Sequence, residues 1–299
     1  MTAVQTQGSS GQGSTRIEHF CRLGRVSRAG FYRRDRERAP RQAETELRDT
    51  IQAIAIAHRF YGYRRVGAEL RRSHGLTVNH KHVLRLMRED NLLCLRVKPW
   101  VPRTTDSRHG FAIVPNLLAR LVPVAIDQVW VADITYIHLR EEFIYLAVIL
   151  DAFSRRVIGW ALAGHLQASL ALEALEMALA TRTPAAGFIH HSDRGVQYAC
   201  NAYSARLQAA GASASMSRIG NPYDNAKAGR FMKTLKAEQV NGKQYRCIEE
   251  ARADIGPFLE TTYNQTRLHS ALGYRPPVEF ENTLCQTETS ERTQQKPVT

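Results

Sequence analysis

The stretch Val129-Trp130-Val131-Ala132-Asp133-Ile134-Thr135-Tyr136-Ile137 is apolar and rich in β-branched and aromatic residues, with a single acid in its middle. It reads as a β-strand. A polar Arg140-Glu141-Glu142 turn separates it from a second such run, Phe143 to Leu150, and Arg156 to Ala161 supplies a third. Three strands in close succession predict an antiparallel meander. The period then changes. Leu172, Leu175, Ala178 and Leu179 recur at helical spacing within about Ser169 to Thr181. A short buried strand follows at Phe188 to His191, then a helix from about Asn201 to Ala210 and a strand from Ala212 to Ser217. A loop leads to a helix from about Ala226 to Val240, and a last helix spans about Ile248 to Tyr263.

This order of elements describes an α/β, ribonuclease-H-like core with a five-stranded mixed sheet, placed at residues 128–281. Residues 97–127 hold four prolines and little periodicity and read as a linker. Upstream, residues 45–96 carry three helical patterns. Leu47, Ile51, Ile54 and Ala55 share a face of the first, and Val66 and Leu70 of the second. Asn79 caps a third helix with Val83, Leu86 and Met87 turned inward. Lys81, Arg85 and Arg88 lie largely on its other side. Two helices joined by a tight turn, the second one basic, predict a helix-turn-helix domain that meets double-stranded DNA in the major groove. Residues 16–41 read as a short helical segment, and residues 1–15 and 282–299 as polar, disordered tails.

Charge supports this division. Residues 1–100 hold 20 Lys or Arg against 9 Asp or Glu, whereas residues 101–299 hold 21 against 19. The first third is the electrostatic handle for a polyanion. The five cysteines are scattered and make no Cys-x-x-Cys pair, so a disulfide framework or zinc finger is not expected. No apolar run approaches the roughly 20 residues that span a bilayer, and no export signal is evident, so a cytoplasmic protein with no membrane partner is expected.

The acid in the first strand needs an explanation, because a lone carboxylate among apolar residues is costly unless paired or metal-bound. In the predicted topology that strand is central and the fourth runs parallel beside it, which brings Asp133 next to Asp193 just beyond Phe188–His191. Converging carboxylates are what phosphoryl transfer on DNA requires, since hard Mg²⁺ prefers oxygen ligands and two ions about 3.5–4 Å apart neutralise both reacting oxygens. Asp151, at the end of the second strand, and Asp224, opening a loop, read instead as turn acids.

Four ordered motifs carry a resemblance. They are Trp130-Val131-Ala132-Asp133-Ile134-Thr135-Tyr136, His191-Ser192-Asp193-Arg194-Gly195-Val196-Gln197-Tyr198, the segment Gly220 to Glu238, and Tyr263 to Pro277. With Tyr61-Gly62-Tyr63-Arg64-Arg65 and Val78 to Met87, they resemble the second-frame (OrfB-type) proteins of the insertion sequence three family of transposases, over about residues 16–281. The resemblance implies an integrase-type catalytic core and metal-dependent cutting and joining of insertion-sequence ends. In such a reaction a 3′ hydroxyl attacks another phosphate with no covalent protein intermediate. It implies Asp133 and Asp193 as ligands of two Mg²⁺ (or Mn²⁺) ions, and His191, Arg194, Gln197, Asn221 and Asn225 close by. Arg64, Arg65, Lys233 and Lys236 join the DNA-facing cations. The implied partners are element ends and target DNA, further copies of the chain on that DNA, and the first-frame (OrfA-type) product.

One position departs from the pattern. The family carries its third acid, a glutamate, thirty-six residues after the second aspartate, and this chain has Gly229. Glycine offers no side-chain oxygen and weakens a helix interior by roughly 1 kcal/mol relative to alanine. Glu238 is expected on the opposite side of the helix and Asp224 before its start, so neither replaces the missing acid. The expected function is therefore DNA transposition weakened at this position, and the alternative is a catalytically inactive relic that only binds DNA.

Overall fold

A computed structural model of the chain describes residues 42–94, 111–218, 221 and 223–294, with His19, Cys21–Gly24 and Ser27. The expected tail at 1–15, almost all of the segment at 16–41, and residues 97–110 of the expected linker lie outside the described residues.

Five strands form one sheet: β1 (Val129–His138), β2 (Phe143–Asp151), β3 (Val157–Ala163), β4 (Ile189–Ser192) and β5 (Ser213–Met216), in the order β3-β2-β1-β4-β5. The meander β1–β2–β3 is antiparallel, and β4 and β5 run parallel to β1. Strand β1 is thus the centre of the sheet, as the predicted topology requires.

Alternation along β1 sorts the two faces. Val129 and Val131 point to one layer, built from α7 (Ala226–Leu235) and α8 (Ile248–Pro257). Trp130 and Ala132 point to the other, built from α4 (Ala168–Thr181), α5 (Val196–Ala199) and α6 (Asn201–Ala209). Both α7 and α8 continue as π-helical turns, Lys236–Val240 and Phe258–Thr266. Asn264, on the second of these, donates to Val157 O and accepts from Val157 N, both at 2.9 Å, and so serves the edge strand β3 as a substitute neighbour.

Gly159 sets how closely α4 lies on the sheet. A Cβ there would sit 2.2 Å from the Ala174 carbonyl oxygen and 2.9 Å from Ala178 Cβ. Only a residue without a side chain permits that approach.

The upstream domain is helical: α1 (Gln42–Ala57), α2 (Tyr63–His74) and α3 (His80–Glu89). Gly75 ends α2 in the left-handed conformation (φ 66°), and Asn79 caps α3 by accepting from Lys81 N at 2.9 Å. Ile51, Ile54, Val66, Leu70, Val83, Leu86 and Met87 are buried together, and Leu268 from the C-terminal part of the chain joins them. Tyr61 Oη accepts from Leu268 N at 2.9 Å, and Arg72 pairs with Glu279, so this domain is docked on the core.

One expectation is corrected. Helix α9 spans Pro277–Gln294, so the polar stretch after residue 282 is helical to Gln294 instead of a disordered tail. Its first turns are held by Glu281, which is buried and receives Arg182, Arg156 and the Ser154 hydroxyl. Polar composition hid an anchor that only the folded chain provides.

Gly159→Ala is expected to lower stability by about 1–3 kcal/mol through overpacking at α4, read as a lower urea midpoint at unchanged slope.

Candidate active site

The pairing of β1 with β4 builds the site. Val129 faces Ile189, Trp130 faces His190 and Val131 faces His191. Continuing that register by two residues sets Asp133, in the middle of β1, beside Asp193, just past the end of β4. Asp133 keeps part of its surface in solvent, but protein surrounds its carboxyl. Burial, and then the charge of Asp193, push that carboxyl up to about 7, opposed by the Ile134 N–H and by Lys236. Asp133 Oδ1 accepts from Ile134 N at 2.9 Å, and Asp193 Oδ1 accepts from Gly195 N at 2.9 Å. Two carboxylates side by side, one of them enclosed by protein, are a donor set suited to a divalent cation. Among the described residues no group of three or more His, Cys, Asp or Glu converges on such an ion.

Helix α7 passes over this pair. Asn225 precedes it, donates Nδ2 to Ala132 O at 2.8 Å, and accepts from Gly229 N at 3.0 Å through its own carbonyl. At the far end the Lys236 ammonium lies 3.8 Å from the centre of the Tyr136 ring and acts electrostatically on Asp133. Asn225, Gly229, Lys233 and Lys236 are spaced four, four and three residues apart, which puts them on one helix face. The ends of that stripe touch β1 on either side of Asp133, so Gly229 is on the side of the helix that faces the acid pair. Gly229 is exposed, and a Cβ built on it meets nothing within 4 Å. Neither nearby acid fills the position. Glu238 is bound by Arg267 at 2.6 and 2.7 Å, with Arg65 at 3.8 Å. Asp224 accepts from Arg218 and Asn221, and the Arg218 guanidinium holds its carboxyl well below the usual range.

The other residues implied by resemblance divide into groups. His191 is buried, with Nδ1 2.8 Å from Ser215 Oγ and Nε2 3.0 Å from Ser217 Oγ. Burial pushes its ring down to about 4, so it is a neutral brace between β4 and β5, with both ring nitrogens engaged there. Arg194 Nε donates to Ser217 O at 2.7 Å, Gln197 Nε2 to Leu166 O at 2.9 Å, and Asn221 Nδ2 to Asp224 at 3.1 Å. These three hold loops in place. Among the expected cations, Lys81, Arg64, Arg88 and Lys233 are exposed. Arg85 pairs with Glu89 at 2.9 Å and Glu44 at 3.2 Å, and Arg65 turns toward Glu238.

Sequence reasoning missed two contributors. A Cβ on Gly195 would come 3.0 Å from Asp193 Oδ1 and 2.9 Å from Gln197 Oε1, so this glycine keeps the Asp193 carboxylate where it is. Tyr198 is buried, its hydroxyl has no hydrogen-bond partner among the described residues, and both aspartates act on it electrostatically. Its place in the second motif was the available signal.

A central acid on β1, a second just past the parallel β4, and a helix crossing the pair define the class of proteins built on an integrase core. Residues 124–222 and 210–277 match the integrase core domain family, and residues 42–100 match the HTH-like domain family. The chain is 36% identical over 266 residues to an uncharacterized 31 kDa protein of insertion element IS600 from Shigella sonnei, covering 87% of this chain and 97% of that one. It is 34% identical over 272 residues to transposase InsF of insertion sequence IS3A from Escherichia coli K12, covering 89% and 94%. The catalytic core of BIV integrase is similar with a TM-score of 0.41 at 18% identity, over 55% of this chain and 99% of that one. The chain belongs to the insertion sequence three (IS3) family of transposases. No helix among the described residues is long and apolar enough to cross a membrane.

Because Asp133 holds its proton more tightly folded than unfolded, the metal-free protein loses stability as pH rises from the unfolded value of 3.8 to about 7. Asp133→Asn is expected to remove that slope in thermal melts. Mg²⁺ is expected to raise the melting temperature more at pH 8 than at pH 6 in the wild type, and at neither pH in Asp133→Asn.

Proposed function

We propose that this chain binds insertion-sequence DNA ends and target DNA, and that its joining chemistry is reduced to a residue of the family's by Gly229. The observation that carries this reading is the acid pair Asp133–Asp193 beneath a helix face that is open where a third carboxylate would project. Asp133 and Asp193 would hold Mg²⁺ or Mn²⁺, and such ions would neutralise charge on the attacking and leaving oxygens of an in-line displacement. The protein's own contribution is to position. Asn225 ties the start of α7 to β1, Gly195 leaves room for the Asp193 carboxylate, and Lys236 offers a cation beside the pair. Lys233 and Lys236 on the same face, with Lys81, Arg64 and Arg88 on the helical domain, would meet backbone phosphates. Arg65 and Arg85 are engaged with Glu238 and with Glu44 and Glu89, and would have to leave them to do so. Further copies of the chain and the first-frame product remain the expected assembly on the DNA, and the cytoplasm the expected compartment.

The second reading, a DNA-binding relic, is favoured by the absence of any side-chain oxygen at Gly229. The two readings part in a joining assay with Mg²⁺ and duplexes carrying element ends. Gly229→Glu is expected to join at least about 100-fold faster than the wild type, since a metal ligand contributes several kcal/mol to the transition state. Residual wild-type joining above that of Asp133→Asn supports a weakened transposase, and none supports the relic. Equal rates for wild type and Gly229→Glu would overturn the reading of this position.

Gly229→Ala separates the helix from the chemistry. It is expected to raise stability by about 0.5–1 kcal/mol, seen in a denaturant melt, and to leave joining unchanged.

A further inference from the structure

The flank of α7 away from the acid pair carries cations that the proposed chemistry does not use. Lys227 and Arg230 lie in its first two turns, about 100–160° around the helix from Gly229. Arg155, in the turn between β2 and β3, lies at the same end of the sheet, since Asn225 ties the start of α7 to Ala132 O and Ala132 pairs with Ile149 near the end of β2. The Arg155 charge acts on Lys227, and Tyr263 and then Arg230 act on Arg155. Arg155 and Lys227 are half-buried, and Arg230 is exposed. Burial, then the neighbouring Arg155, push the Lys227 ammonium down to about 8.

No ion pair relieves these charges among the described residues. Asp151 attracts Arg155 and Lys227, but its oxygens are already taken by backbone donors. Oδ1 accepts from Phe153 N at 2.9 Å and Ser154 N at 2.6 Å, and Oδ2 from Asp127 N at 2.7 Å. The first turn of α7 contains no acidic residue, so Lys227 sits at the positive end of the helix dipole. Arg155 also holds φ at 64°, where residues other than glycine are rarely found. Three like charges, two of them partly desolvated, are thus gathered at a positive helix pole. The arrangement is repulsive by itself and becomes favourable around an anion.

We propose that Arg155, Lys227 and Arg230 form a site for a backbone phosphate of double-stranded DNA, on the flank of α7 remote from Asp133 and Asp193. The proposal rests on the reading of the chain as a DNA-acting protein. It places duplex on two sides of one helix, with Lys233 and Lys236 serving the first and this triad the second.

The test uses the full chain and a short duplex, with acetylation by a soluble active ester read by mass spectrometry. Duplex is expected to protect Lys227 and to leave Lys243 unprotected, because Lys243 is already paired with Asp254 at 2.7 Å. Lys227→Gln and Arg230→Gln are each expected to weaken duplex binding about tenfold, the value of one charge-assisted contact. Arg230 is exposed, so its removal keeps the test open if Lys227→Gln folds poorly. In the absence of DNA, Lys227→Gln is expected to melt at the wild-type temperature or above it, as repulsion is relieved. Equal labelling of Lys227 with and without bound duplex overturns the site while DNA binding stands. Protection by inorganic phosphate alone, with duplex affinity unchanged in both variants, marks a free-anion site and also overturns it. A wild-type chain that binds no duplex refutes the DNA reading, and the site with it.

Discussion

Everything in the core is arranged around the parallel pairing of β4 with β1. Two strands that carry an acid each cannot bring those acids together by local chain geometry, because sixty residues separate Asp133 from Asp193. The crossover through α4 returns the chain beside β1 in the same direction, and three paired residues then fix the register. His191, bound to Ser215 on β5 and Ser217 just beyond it, holds the end of β4 from its other side. The cost is a desolvated carboxylate next to a second one, visible in the upward displacement of Asp133. A fold optimised only for stability would have no reason to retain such a pair.

Much of this was legible beforehand, for specific reasons. The meander β1–β2–β3 followed from apolar, β-branched runs broken by turn residues, and the central β1 with a parallel β4 beside it followed from the ribonuclease-H-like order of elements. The acid pair followed from the same topology. The helical domain was readable from Ile51, Val66, Leu70, Val83 and Leu86, whose periodicity survives as burial. Helix α9 was not, because its polar residues are held by Arg182 and Arg156, more than 90 residues away in sequence. The role of Gly195 was equally hidden: only the folded loop shows that its missing side chain makes room for Asp193. The partners of His191 are Ser215 on β5 and Ser217 just after it, and no local pattern announces them.

The junction between the two domains has its own logic. The Tyr61 hydroxyl accepts from Leu268 N within a common apolar cluster, and Glu238 is gripped by Arg267 with Arg65 close by. Glu238 lies in the π-helical turn that follows α7 and is bound there by Arg267. The carboxylate nearest in sequence to Gly229 on its C-terminal side is thereby committed to holding the domains together.

The same economy runs through the arginines. Arg48, Arg65, Arg72, Arg85, Arg156, Arg182, Arg206, Arg218, Arg246 and Arg267 all face carboxylates of their own chain. A cation already neutralised inside the protein displaces no counterion when a polyelectrolyte arrives. The gross count of basic residues therefore overstates the grip on any duplex, because the ten paired arginines cancel against acids that the net charge of +13 has already subtracted. Ionic strength should loosen that grip far less steeply than a count of 41 basic residues would suggest.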